Sequence, residues 1–298
     1  MKIIAQKFKK ESTSIINSLK IKELKSIIGR ERLKFTYNEV ISYVQIIFEH
    51  SLEQKTFKKI HSKYRIRTKY SCFMNNILLF SKLFKFLFNK INERLSIKPS
   101  KLLNMVDTTL IEEKKLNFIN RKDWSSGRVT TRINKKTKVK LYTCGSKGLI
   151  FLNRFGQIYS ARLLDINFSD QNILKDFTYY LSQLKGVLLA DRGFSNKSVR
   201  DRLSSIGDKH NLINIFNTKT NQTRCRLISP YQYKQKETLT DKEKKLYKRR
   251  WQIETVFQKL KHNYSDSKLN LTGKYHNIIK QAKFYATLIQ FNFSTLVI

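Results

Sequence analysis

The chain has 298 residues, 40% of them hydrophobic and 12% aromatic, which is enough apolar material for a sizeable core and excludes a disordered polymer. Lys and Arg number 60 against 22 Asp and Glu, a formal net charge of +38 with a pI near 10.2. Such an excess repels itself in a folded chain, and phosphate backbones relieve it through counterion release, so nucleic acid is the expected partner. An AT-rich genome also raises Lys, Ile and Asn, but the imbalance of bases over acids exceeds what that bias explains.

Residues 1–98 read as helical: apolar residues recur at three and four, and the first proline is Pro99. Helices are expected near 14–29, 37–52, 54–63 and 70–95. The pair within 37–63, with Lys55, Lys58 and Lys59 on one side, is compatible with a helix-turn-helix and equally with a plain helical bundle. Within the last helix, Ile77, Phe80, Phe84, Leu87, Phe88 and Ile91 form an apolar face, while Lys82, Lys85 and Lys90 interrupt the run. A membrane span needs about 20 apolar residues, so a buried amphipathic helix is expected and no membrane partner. Met1 is followed by a charged amphipathic stretch and not an apolar h-region, so no secretory signal is expected.

Residues 96–101, SIKPSK, read as a linker, and the pattern then turns strand-like. The run 102–110, LLNMVDTTL, reads as a buried strand carrying Asp107. An acid there costs several kcal/mol unless paired or metal-bound. Residues 111–136 are charged and read as a loop. Trp124 lies there among Arg121, Lys122 and Arg128, able to stack on a base or simply to pack on the domain.

Strands follow at 138–144, 149–153 and 157–164, an antiparallel meander ending near Asp165 and Asp170, then a helix at 171–184. Residues 187–190 form a second buried strand with Asp191 at its carboxyl end, where α/β sheets bind ligands. Asp191 is as well suited to capping the turn at Gly193. A helix at 195–204, a strand at 211–217 and a basic loop at 218–239 lead to a long helical stretch, 240–264.

That stretch opens with a Thr240/Glu243 capping box and contains neither Gly nor Pro. At about 100° per residue, Tyr247, Arg250, Glu254 and Lys261 share a stripe beside an apolar face of Leu246, Ile253, Val256, Phe257 and Leu260. Glu254 is then a lone acid among bases, either functional or a surface pair with Arg250 at i, i+4. A final amphipathic helix at 276–296 is expected to pack on the preceding domain. The three cysteines (Cys72, Cys144, Cys225) and five histidines lack metal-ligand spacing, which argues against a zinc site and suits a reducing cytoplasm.

Tyr247-(2)-Arg250-(3)-Glu254-(6)-Lys261 resembles the Y-(2)-R-(3)-E-(6)-K signature of bacterial insertion-sequence transposases of the DDE class. MVDTTL resembles that family's first motif, although Thr108 stands where Gly is frequent, and LLADRGF resembles its second. The resemblance covers about residues 100–296. It implies an α/β, ribonuclease-H-like catalytic domain at 99–298, a mixed sheet flanked by helices, behind an all-α domain at 1–98 for end recognition or dimerisation. It implies Asp107, Asp191 and Glu254 as the catalytic, metal-binding acids, Asp107 bridging two Mg²⁺ (Mn²⁺ substituting) and the others holding one each. Tyr247, Arg250 and Lys261 are implied as phosphate contacts, with Arg192 and Trp124 as further DNA contacts. The implied partners are double-stranded DNA, both element ends and target, and further copies of the chain; the implied location is the bacterial cytoplasm, on the nucleoid. Two other readings stay open: a non-catalytic DNA-binding derivative of a transposase, and a basic RNA-binding protein. Asp165 and Asp170 rank below Asp191, because no buried strand and tight turn presents them.

Overall fold

The computed structural model describes residues 2–31, 34–50, 58, 60–62, 69–112, 128–133, 140–165, 168, 184–190, 212–216, 233–234, 241, 245, 248–265 and 276–296. The amino-terminal part is helical, as expected, with different breaks. Helix α1 spans Lys2–Ser18 and α2 Ile21–Ile28. The expected single helix over 14–29 is interrupted at Leu19–Lys20, where the Glu23 carboxylate accepts the Lys20 N–H at 2.8 Å and starts a new helix. Helix α3, Tyr37–Glu49, begins with a complete Thr36/Glu39 capping box. Lys58 and residues 60–62 are helical; the rest of the expected 54–63 helix lies outside the described residues.

The expected helix over 70–95 is two helices, α4 Tyr70–Ser81 and α5 Leu83–Arg94, bent by 40° at Lys82. No Gly or Pro marks the break. Lys82 instead donates through Nζ to the Ile28 carbonyl at 2.8 Å, putting a cation at the carboxyl end of α2, where the helix dipole favours it. The six apolar residues at helical spacing across this pair are all buried. Among the described residues, no single helix is long and apolar enough to cross a membrane.

Residues 96–101 are not a loose tether. The buried Asn104 side chain accepts from Ser100 N at 2.9 Å and donates to Ser100 O at 2.8 Å and to Lys185 O at 3.3 Å. The linker is thereby tied to β1 and to the entry of β5. β1 (Leu103–Glu112) pairs antiparallel with β3 (Lys140–Asn153), which pairs antiparallel with β4 (Ile158–Asp165). On its other edge β1 runs parallel to β5 (Gly186–Ala190), followed in parallel by β6 (Leu212–Phe216) and the two-residue β7 (Tyr233–Lys234). β2 (Arg128–Ile133) pairs antiparallel with the first residues of β3, completing a seven-stranded mixed sheet.

Two expectations for the meander are corrected. Residues 128–133 lie in the stretch read as loop, yet form β2. Val129, Thr130, Thr131 and Ile133 are β-branched, and β3 extends past the end of β1 to offer them a partner. Residues 140–144 and 149–153 belong to one continuous strand, β3, while 138–139 lie outside the described residues. A side chain at Gly148, inside this strand, would meet the Phe284 ring at 3.0 Å and Ile111 at 3.2 Å. Gly148 is there for close approach.

Helix α6 (Trp251–Ser265) lies against β1 and α7 (His276–Thr295). The last helix does more than pack on the sheet and α6. It contacts α1, α3, α4 and α5 as well as α6 and β4. One apolar core therefore runs from Phe8 and Phe48 through Phe84 and Phe88 to Tyr285, Ile253, Met105 and Leu189. The Asn292 amide seals the junction: Oδ1 accepts from Ile158 N at 2.9 Å, and Nδ2 donates to Ile158 O at 2.8 Å and to Asn92 Oδ1 at 3.0 Å. α5, α7 and β4 are joined there without an unpaired polar atom on that amide.

Candidate active site

β1 presents Asp107 in the middle of its run, opposite Ile150 of β3. Its side chain is 13% exposed. Oδ1 accepts the Thr108 N–H at 2.7 Å, and Oδ2 accepts from an Arg250 guanidinium nitrogen at 3.2 Å. An acid in an apolar strand needs a partner, and here the partner is a cation from the far end of the chain.

Arg250 stands at the entrance of α6. Asp241, Lys245 and Lys248 are helical, as expected over 240–264, but Arg249 and Arg250 form a turn, with Gln252 N–H to Arg249 O at 2.9 Å and Ile253 N–H to Arg250 O at 3.1 Å, and α6 begins at Trp251. These are bonds of the tighter helical turn common at helix starts. Thr240, Glu243, Leu246 and Tyr247 lie outside the described residues. From Trp251 onward the expected faces hold. Ile253, Val256, Phe257 and Leu260 are buried, and Glu254 and Lys261 are exposed.

The other terminal nitrogen of Arg250 donates to Glu254 Oε1 at 2.9 Å. One guanidinium therefore holds two carboxylates, one from strand β1 at 3.2 Å and one from helix α6 at 2.9 Å. The fork of Arg suits this, since its planar nitrogens point along two directions at once.

The third acid, Asp191, lies outside the described residues, as do Arg192, Trp124 and the decoy Asp170. The strand leading to Asp191 is described. β5 ends at Ala190, and Ala190 is in parallel register with Val106, the residue before Asp107. Gly186 makes that register possible. Its φ is +78°, and a side chain there would run into the Lys101 and Leu102 carbonyl oxygens, the latter at 2.6 Å. Val187 N–H then bonds Leu102 O at 2.9 Å and starts the β1–β5 ladder. Asp165 ends β4 opposite Ser146. Among the described residues no three Asp, Glu, His or Cys side chains cluster as a metal site.

Nothing in the sequence but its position singles out Trp251. It is 59% exposed and directly follows Arg250. Its only sequence signal is position: an aromatic inside the signature on a helix whose apolar face is already complete. An exposed indole beside an Arg and a carboxylate can offer a stacking face to a base.

Asp107 and Glu254 supply hard oxygen donors of the kind Mg²⁺ prefers. Both turn toward a single cation, the Arg250 guanidinium. The family model described as a transposase DDE domain matches residues 106–277, more than half of the chain, beginning one residue before Asp107 and continuing past Glu254 and Lys261. Neither a curated protein nor a solved structure matches the chain significantly. A mixed sheet flanked by helices, an acid on its central strand, an acid on the helix packed against that strand and the matching domain place the chain in the DDE-domain transposase family, with its ribonuclease-H-like fold.

Proposed function

We propose that the chain is an insertion-sequence transposase that binds the terminal inverted repeats of its element, cleaves a DNA strand and joins the freed end to a target. The observation that carries the reading is the meeting of Asp107 and Glu254 on one guanidinium, beside the strand that leads to Asp191. In this reading Asp107, Asp191 and Glu254 hold two Mg²⁺, with Mn²⁺ as substitute. When bound, such ions activate the attacking water and stabilise the leaving 3′-oxygen.

The remaining roles belong to the chain. β1 fixes Asp107, and the Thr108 N–H orients its carboxylate. α6 carries Glu254 on its exposed side and leaves the buried side to anchor the helix on the core. Arg250 and Lys261, with Tyr247 of the same signature, contact phosphate near the scissile bond; Arg250 as a fork, Lys261 as a point charge. Arg192 and Trp124 contact DNA beside them, and Trp251 offers an exposed ring. Residues 1–98 serve end recognition or dimerisation, with exposed Lys9 and Lys10 on α1, Lys20 in the break before α2, Lys22 on α2 and Arg30 in the turn after it. The active form is a dimer or larger assembly on paired ends, in the cytoplasm on the nucleoid.

The test is Asp191→Asn. Cleavage of an inverted-repeat substrate in Mg²⁺ is expected to fall below detection while binding to the same duplex persists. Cleavage near the wild-type rate would overturn the assignment.

A further inference from the structure

Asp107 and Glu254 carry two negative charges on facing elements, and one is largely shielded from water. Two such carboxylates repel unless a cation lies between them. Here Arg250 supplies it, donating at 3.2 Å to Asp107 Oδ2 and at 2.9 Å to Glu254 Oε1. Its side chain is 21% exposed, so it reaches solvent from a sheltered position. The other Asp107 oxygen is held by the Thr108 N–H, which leaves Oδ2 as the oxygen turned to the cation. The same guanidinium geometry that grips two carboxylates grips a phosphate equally well.

We propose that Arg250 is the resident counter-cation of this carboxylate pair: it holds Asp107 and Glu254 together in the free protein, competes with divalent metal for them, and releases them when a DNA phosphate takes its fork. Metal loading is thereby coupled to DNA binding, and by reciprocity metal strengthens the hold on DNA by the same factor. The free protein would then carry a weakened metal site, which restrains cutting until DNA is seated. The inference rests on the reading of Asp107 and Glu254 as metal ligands.

The experiment measures Mn²⁺ binding to the full chain by electron paramagnetic resonance of the free ion, with and without duplex DNA. The site counted is the one that Asp107→Asn removes. Wild-type affinity at that site is expected to rise about ten-fold on adding DNA, and Arg250→Gln is expected to bind about ten-fold tighter than wild type without DNA and to respond little to it. Mn²⁺ affinity in Arg250→Gln equal to or below wild type overturns the inference. Arg250→Lys, which keeps a charge near Asp107 but cannot fork, covers the case in which Arg250→Gln fails to fold. It is expected to bind Mn²⁺ more tightly than wild type and to show a smaller response to DNA, and affinity at or below wild type again overturns the inference. Should neither Asp107→Asn nor Glu254→Gln lower Mn²⁺ binding, the metal-ligand reading falls and the inference with it. Should they lower it while the Arg250 variants do not raise it, the inference alone falls.

Discussion

Lys283 lies on α7 and is 7% exposed, and burial pushes its ammonium down to about 8. Below pH 8 the folded chain carries this charge at a cost. Between about 8 and the ordinary 10.5 the folded state releases the proton before the unfolded state does, so stability rises with pH there. Lys283→Met should therefore be more stable than wild type at pH 7, by about 1–3 kcal/mol. The gap in thermal unfolding should narrow as pH is raised toward 10; a gap independent of pH would mean that the ammonium is not what burial penalises. Asp107 shows the other outcome for a sheltered charge. Its need for a partner was readable from the apolar run around it. The identity of that partner was not, because Arg250 is 143 residues away and only folding brings the two together. Trp251 was missed for a related reason: periodicity tells which side of a helix is buried, not which exposed side chain borders a site.

Strand β5 depends on one residue that admits no side chain. Gly186 combines a φ of +78° with the Leu102 carbonyl oxygen 2.6 Å from where a Cβ would sit. Gly186→Ala should cost about 3 kcal/mol, read as a lower denaturant midpoint at unchanged slope. A midpoint within experimental error of wild type would show that the β1–β5 entry can shift to accept a methyl group. At this scale the sequence was read well where periodicity was strong and poorly where a break came from a distant contact. The apolar faces of 70–95 and of Ile253 to Leu260 were legible. The bend at Lys82 was not, since no Gly or Pro marks it and what Lys82 meets there is the Ile28 carbonyl of another helix. β2 was hidden because its charged residues look like loop until β3 is there to pair with it. The continuity of β3 was not legible either, since Gly148 serves the approach of Phe284, a residue far along the chain.

A molecule with a net charge of +38 should bind duplex DNA with steep salt dependence. Affinity is expected to fall at least about a thousand-fold between roughly 50 and 200 mM monovalent salt if six or more phosphates are contacted. A flat dependence, measured by fluorescence anisotropy on an element end, would remove phosphate binding as the meaning of the charge. Composition alone pointed to that partner, and three short motifs in chain order pointed to the family: two acids at apolar strand-like runs and a third at fixed spacing among bases. The tertiary structure decided how the ends of the chain meet. α7 reaches back to pack on α1, α3, α4 and α5, and Asn292 bridges Asn92 and the Ile158 backbone. It also decided that Asp107 and Glu254 share one guanidinium. Local patterning sets which residues are buried and which elements form, since those follow from the period of the apolar residues. Which elements face one another follows from packing and pairing across long separations, and no local pattern carries that information.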